Sequence, residues 1–270
     1  MTGIIFFETL RRSWKQILYW GVGIGLYGIF PFLMIPDQDG LDSYAEIVDT
    51  LDPALLRAFG IGGDLSFATP EGFIGYSFFS YMLLIFAIFA VIAGLNVSVN
   101  EEEGGMMDML LSLPIPRWTV IMEKLLAYAV MLLGILLVGL GGLFIGNQIA
   151  SEALQVSNAS LVEGMLNIFP GALFILSLTT FMGAIIGRRT IVMAVAGVFV
   201  VGSYLIDMIG RAADTQVTDA LRQLSIFAHY DGANVLANGI AVGGALGILA
   251  LAVILSGIAT QRFQQRDIAV

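Results

Sequence analysis

Cysteine is absent from the 270-residue chain, histidine occurs once, at His229, and Asp, Glu, Lys and Arg together make up only 12% of it. Without cysteine there is no disulfide scaffold, no thiolate zinc site and no thiol nucleophile, and one histidine excludes a multi-histidine metal site. An intramembrane protease would need paired histidines, two buried aspartates, or a serine working with a histidine. Here only Asp207 falls within a predicted apolar span, and His229 sits beside Tyr230 and Asp231 at a span's edge, where a hydrogen-bonded interface histidine is expected. Basic residues are scarce as well. Lys plus Arg number 12 against 21 Asp plus Glu, a net charge of −9, so no basic surface exists to displace counterions from a nucleic acid.

Apolar residues fill the chain instead, at 58% with a mean hydropathy of +0.90, against roughly 45–50% apolar and about 25% charged in soluble domains. A charge near the bilayer centre costs about 2.5–3.5 kcal/mol on insertion scales, so stretches free of Asp, Glu, Lys and Arg mark membrane spans. Six stand out: residues 16–36, 72–100, 125–151, 164–187, 190–206 and 232–261. A helix crosses the hydrocarbon in about 20 residues. Five runs qualify outright, and the fifth in order does so once continued past Asp207 to Gly210. None alternates apolar and polar residues as a barrel strand would. The predicted fold is therefore all-α, a polytopic membrane protein forming a single transmembrane domain over 1–270. Its spans fall at about 16–36, 72–100, 119–147, 164–187, 190–210 and 236–260.

Short cytoplasmic loops are enriched in Lys and Arg. An N-terminus inside places Arg11, Arg12, Lys15, Arg117, Lys124, Arg188, Arg189, Arg262 and Arg266 in the cytoplasm and leaves Arg57, Arg211 and Arg222 outside. Both termini are then cytoplasmic. The start does not read as a cleavable signal, because Glu8, Arg11 and Arg12 follow the first apolar residues and the next run is too long for a signal core.

Between the spans, Phe7, Leu10, Trp14 and Ile17 recur at helical spacing opposite Glu8, Arg11, Arg12 and Lys15, which predicts an amphipathic helix over 4–15 lying flat on the inner leaflet. In the first outer loop, Asp52 and Pro53 open a short helix with Leu55, Leu56 and Phe59 as its apolar side. Residues 211–231 suggest an interfacial or re-entrant helix along Leu221, Leu224 and Ile226 or Phe227. Asp207 is read as a helix-end carboxylate reaching water, with a lining residue of an outer vestibule as the alternative. Small-residue spacings at Gly21 and Gly25, Gly142 and Gly146, Gly183 and Gly187, and Gly239, Gly243 and Gly247 permit close helix contact, within the chain or across a dimer seam.

The segment 101–124 says most. Glu101, Glu102 and Glu103 stand where the second span leaves the membrane, and Gly104 and Gly105 permit a sharp turn. A helix over 106–113 is apolar on nearly every side except Asp108 and Ser112, and Pro114 and Pro116 stop it. Too apolar for solvent and too short to span, it must bury itself against membrane, its own chain or a partner.

This segment, Glu-Glu-Glu-Gly-Gly-Met-Met-Asp-Met-Leu-Leu-Ser-Leu-Pro-Ile-Pro-Arg followed by Glu123-Lys124-Leu125, resembles the ABC-2 type permease subunits of ATP-binding-cassette transporters. Gly105, Asp108, Leu110, Leu111, Ser112, Pro114, Ile115, Arg117 and Lys124 match the family pattern, whereas Met106 replaces its usual Thr and Pro116 its usual Ser. Thr69-Pro70-Glu71-Gly72-Phe73, and Phe263 with Arg266-Asp267-Ile268, look like the same family.

The resemblance implies that 101–117 is a cytoplasmic coupling helix docking on a nucleotide-binding ATPase subunit. Glu101, Glu102, Glu103, Gly105, Met106, Met107, Asp108, Leu110, Leu111, Ser112, Pro114 and Arg117 would make the contact, with Arg188 and Arg189 either a second, smaller one or simple topology anchors. The helix over 4–15 would be the family's elbow helix. The chain itself has no phosphate-cradling G-x-x-x-x-G-K-[S/T] string, so ATP and Mg would be bound by the partner ATPase, and no cofactor, metal or enzyme activity is expected here. Six spans are half of the usual twelve, which implies a second permease half, identical or related. The expectation is an ATP-driven exporter half in a prokaryotic plasma membrane. The alternative is a secondary transporter or channel, a class that usually carries membrane-buried ionisable residues or broken spans in related halves.

Overall fold

In hydrocarbon every backbone amide must be satisfied within the chain, so each charge-free run is driven into a helix. The computed structural model describes residues 3–35, 37–58, 69–100, 116–213 and 215–265, and all regular elements among them are helical. In chain order they are α1 (Ile4–Met34), α2 (Gln38–Asp49), α3 (Pro53–Ala58), α4 (Pro70–Ser98), α5 (Arg117–Ile149), α6 (Asn158–Ile186), α7 (Arg189–Ala213), α8 (Gln216–Arg222), α9 (Ile226–Tyr230), α10 (Val235–Asn238) and α11 (Val242–Gln265). Among the described residues six helices, α1, α4, α5, α6, α7 and α11, are long and apolar enough to cross a membrane.

Burial ranks them. The apolar windows of α4 and α6 are each 61% buried against 17% for α11, so α4 and α6 form the centre and α11 lies on the periphery. Three parallel packings hold the bundle, α1 with α5, α4 with α6 and α6 with α11, the last joined by Ser256 Oγ donating to Ser177 Oγ at 3.0 Å. Along α1 and α5, a Cβ added to Gly21 would sit 2.6 Å from Val138 Cβ, Gly25 meets the backbone of Gly142, and a Cβ on Gly146 would sit 2.6 Å from Phe32. Along α4 and α6, Gly164 faces Phe79, Gly171 faces Leu83 and Gly94 faces Thr179. The stripes at Gly21 and Gly25, at Gly142 and Gly146, and at Gly183 against Ser98 are thus filled by the chain's own helices. Gly243 and Gly247 meet nothing within 4 Å.

The segment 4–15 departs from the expectation of a separate flat helix. It continues into the first span as one helix of 31 residues, about 46 Å long at 1.5 Å per residue and longer than the roughly 30 Å hydrocarbon layer. It stays against α5 throughout, from Glu123 beside its first turn to Gly146 beside Phe32. Pro31 lies within its last turn.

Alternation of the spans gathers the start of α1, the end of α4, the start of α5, the turn between α6 and α7 and the end of α11 at one end, here the near end. The far end carries α2, α3, α8, α9 and α10. The short helix expected after Asp52 is α3. Helix α2 was not foreseen, although Asp37 caps it through Gly40 N at 2.9 Å and Leu41 and Val48 are buried.

Candidate functional site

At the near end, Gly187 ends α6 with φ +66, a left-handed conformation that glycine adopts without steric cost, and its N–H donates to Gly183 O. The chain turns over Gly187 and Arg188 into α7, leaving Arg188 and Arg189 exposed. Arg117 opens α5 at the same end. The structure therefore brings Arg117, Arg188 and Arg189 to one end of the bundle. Glu101, Glu102, Glu103, Gly105, Met106, Met107, Asp108, Leu110, Leu111, Ser112 and Pro114 lie outside the described residues.

A link that the sequence did not reveal stands beside them. The buried Glu123 carboxylate accepts from the amides of Gly3 at 2.6 Å, Ile5 at 3.0 Å and Phe6 at 3.1 Å. The first amides of a helix have no partner within it and carry its positive dipole end, and Gly3, as the cap residue, has no side chain to serve them. Glu123 supplies that cap from another helix. No local pattern signals a pairing across 120 residues.

At the far end, Asp207 corrects the expectation of a carboxylate reaching water. It is 6% exposed, and it accepts from Arg211 Nε at 3.0 Å and Arg222 Nε at 2.8 Å. Arg211 also reaches Asp231 at 3.2 Å. Burial without charged partners would have been prohibitive. Two of the three basic residues that stood apart from the main basic group are thus its counter-ions. His229 Nε2 lies 3.1 Å from Gln223 O, as expected of an interface histidine.

Next to this cluster α4 is broken by a π-helical turn at Gly75–Phe79, a feature that frees carbonyls from their usual partners. Tyr27 donates to Ser77 O at 2.9 Å and Tyr230 to Phe79 O at 2.6 Å. Burial, and after it the Asp231 carboxylate, pushes the Tyr230 phenol well above its ordinary range, so it remains a proton donor. Asn167 of α6 donates to the Tyr230 carbonyl. Together these bonds seat α9 against α4 and α6 with Ile226, Phe227 and Tyr230 buried, whereas Leu221 and Leu224, expected on the same apolar side, are exposed. A partly open cavity of about 30 Å³ lies there, enough for one water molecule. Among the described residues no group of His, Asp and Glu side chains is placed to hold a metal ion.

Six helices long and apolar enough to cross a membrane define a multi-pass membrane protein. The family model described as ABC-2 family transporter protein matches residues 10–268. The chain belongs to that family and is a membrane permease component of an ABC transporter. No curated protein matches the sequence.

Proposed function

We propose that the chain is the transmembrane half of an ATP-driven exporter, with both termini in the cytoplasm of a prokaryotic cell and its near end facing a nucleotide-binding ATPase. One observation carries this reading. The chain leaves α4 at Ser98 and enters α5 at Arg117 at the end that also holds the exposed Arg188–Arg189 turn, so the proposed coupling segment 101–117 departs from that end and returns to it. The same end holds Arg11, Arg12, Lys15, Lys124 and Arg262, the bias expected of a cytoplasmic face. ATP binding by the partner closes the ATPase pair, which pulls on 106–113 and re-packs the spans. A second permease half, identical or related, completes the twelve spans. ATP and Mg reside in the partner.

The test is complex formation. The chain, purified in detergent, should co-purify with the ATPase subunit encoded in the neighbouring reading frame and stimulate its ATP hydrolysis. Asp108→Lys, or deletion of 106–113, should abolish both. Stimulation that survives the deletion would remove the mechanical basis of the proposal, and flux driven by an ion gradient alone would favour a secondary transporter.

A further inference from the structure

We infer that the Asp207 cluster is an ion-pair latch that holds the far end of the bundle together over the cavity it lines. The segment 216–238, comprising α8, α9 and α10, is held to α7 by charge and hydroxyl contacts at three places. Arg222, the last residue of α8, donates to Asp207 at 2.8 Å, and Arg211 bridges Asp207 and Asp231 at 3.0 and 3.2 Å. Between these contacts Ser225 Oγ donates to Ser203 O at 2.8 Å, and Ser203 Oγ accepts from Ile226 N at 3.1 Å. A buried ion pair adds little net stability over an apolar packing of the same volume, so a switching role is its best-attested use. Arg222 stands on the segment and Arg211 on α7, so lifting 216–238 off α7 parts Arg222 from Asp207 and Arg211 from Asp231 together, along with the bonds of Tyr230 to Phe79 and Asn167.

The cavity beneath is lined by Ser80, Tyr81, Tyr204, Asp207, Arg211 and Phe227 among others. Ser80 marks it as a place built for a polar occupant. Its Oγ is buried with no hydrogen-bond partner among the described residues. Ser98, Ser177, Thr179, Thr180, Ser256 and Thr260 each donate to the carbonyl four residues back, the usual resort of a hydroxyl in an apolar helix. Ser80 follows directly on the π-helical turn and does not. The π turn opens α4 where the latch lies over it, so the latch decides how readily this hydroxyl meets solvent.

The inference rests on the proposed export reading only in taking the far end as the exit side, and its test needs no ATPase. Because the chain has no cysteine, Ser80→Cys creates a single thiol. The full-length variant in lipid nanodiscs is reacted with a small cationic methanethiosulfonate reagent, and the labelling rate is measured alone and combined with Asp207→Asn or with Arg222→Gln. The latch predicts slow labelling in the parent and labelling at least tenfold faster in both combinations. Arg222→Gln keeps the Asp207–Arg211 pair, and it carries the test if Asp207→Asn fails to give a monodisperse protein. Equal rates with and without Arg222→Gln, or fast labelling in the parent, overturn the latch. Failure of ATPase co-purification would instead strike the export reading and leave the labelling result standing.

Discussion

The carboxylate of Glu123 lies 2.6 Å from the amide nitrogen of Gly3, which precedes it by 120 residues. That contact fixes the start of α1 to α5 a few residues from the point where the proposed coupling segment would enter α5. Any displacement of the start of α5 is therefore transmitted to the first turn of α1, and from there along the glycine-packed seam.

Removing that cap has a defined cost. Glu123→Ala leaves three amides of α1 without their acceptor and should destabilise the chain by about 1–2 kcal/mol, the scale of a lost helix cap. Glu123→Gln, which retains one neutral acceptor oxygen, should fall between the two. Thermal unfolding in detergent reads the order, and a melting temperature for the alanine variant equal to the parent's would refute the clamp.

Two neighbouring glycines of α5 should behave oppositely. A side chain at Gly142 would overlap the backbone of Gly25, whereas Gly141 faces open space. Gly142→Ala should cost about 1–3 kcal/mol through overpacking. Gly141→Ala should be neutral or stabilising by up to about 1 kcal/mol, since glycine within a helix is the poorer residue. Equal melting temperatures for the two variants would contradict the α1–α5 seam.

The two tyrosines on the π turn separate by burial. Tyr230 is 5% exposed and Tyr27 is 39% exposed. Tyr230→Phe should strand a buried carbonyl at Phe79 and cost about 1–3 kcal/mol, while water can replace the Tyr27 hydroxyl at Ser77 and Tyr27→Phe should cost less. The comparison is made by melting both variants side by side, and the reverse order would argue against α9 being seated in the bundle.

Asp207 and Arg222 should be energetically coupled. Asp207→Asn alone leaves two arginines without their carboxylate and should cost about 3–5 kcal/mol, as when one member of a buried pair is removed. Adding Arg222→Gln should recover part of that loss. A double-mutant cycle of denaturation measures the coupling, and strict additivity of the two substitutions would show that the pair does not act as a unit.

Charge reversal at the near-end turn addresses docking. Arg188→Glu with Arg189→Glu should weaken ATPase association about tenfold or more, since like charge across an interface costs several kcal/mol. Arg188 is exposed, so the single change Arg188→Glu should leave the melting temperature of the isolated permease close to the parent's. A binding isotherm unchanged by the reversal would remove this turn from the proposed contact.

How far the sequence carried the reading differs from residue to residue. Asp52 and Pro53 announced α3 because a cap and a first-turn proline act locally. Helix α2 was equally legible, with Asp37 as its cap and Leu41, Tyr44, Ala45 and Val48 at helical spacing, but the density of acidic residues around them masked the pattern. Asp207 was placed near a span's end correctly and given the wrong surroundings, because Arg222 reaches it only after α8 folds back. The π turn left no trace in the residues Gly75–Phe79, since its carbonyls are satisfied by tyrosines from α1 and α9.

The number of spans, their places in the chain and the gathering of basic residues at one end were determined by the sequence itself. The cost of putting a charge into hydrocarbon is a property of each run alone, and chain alternation does the rest. Which helix lies against which was decided only in the tertiary structure. An apolar face is as well solvated by lipid as by another helix, so hydropathy is silent about neighbours. Gly25 against Gly142, Glu123 on Gly3 and Arg222 on Asp207 arise from register and close approach between segments far apart in the chain.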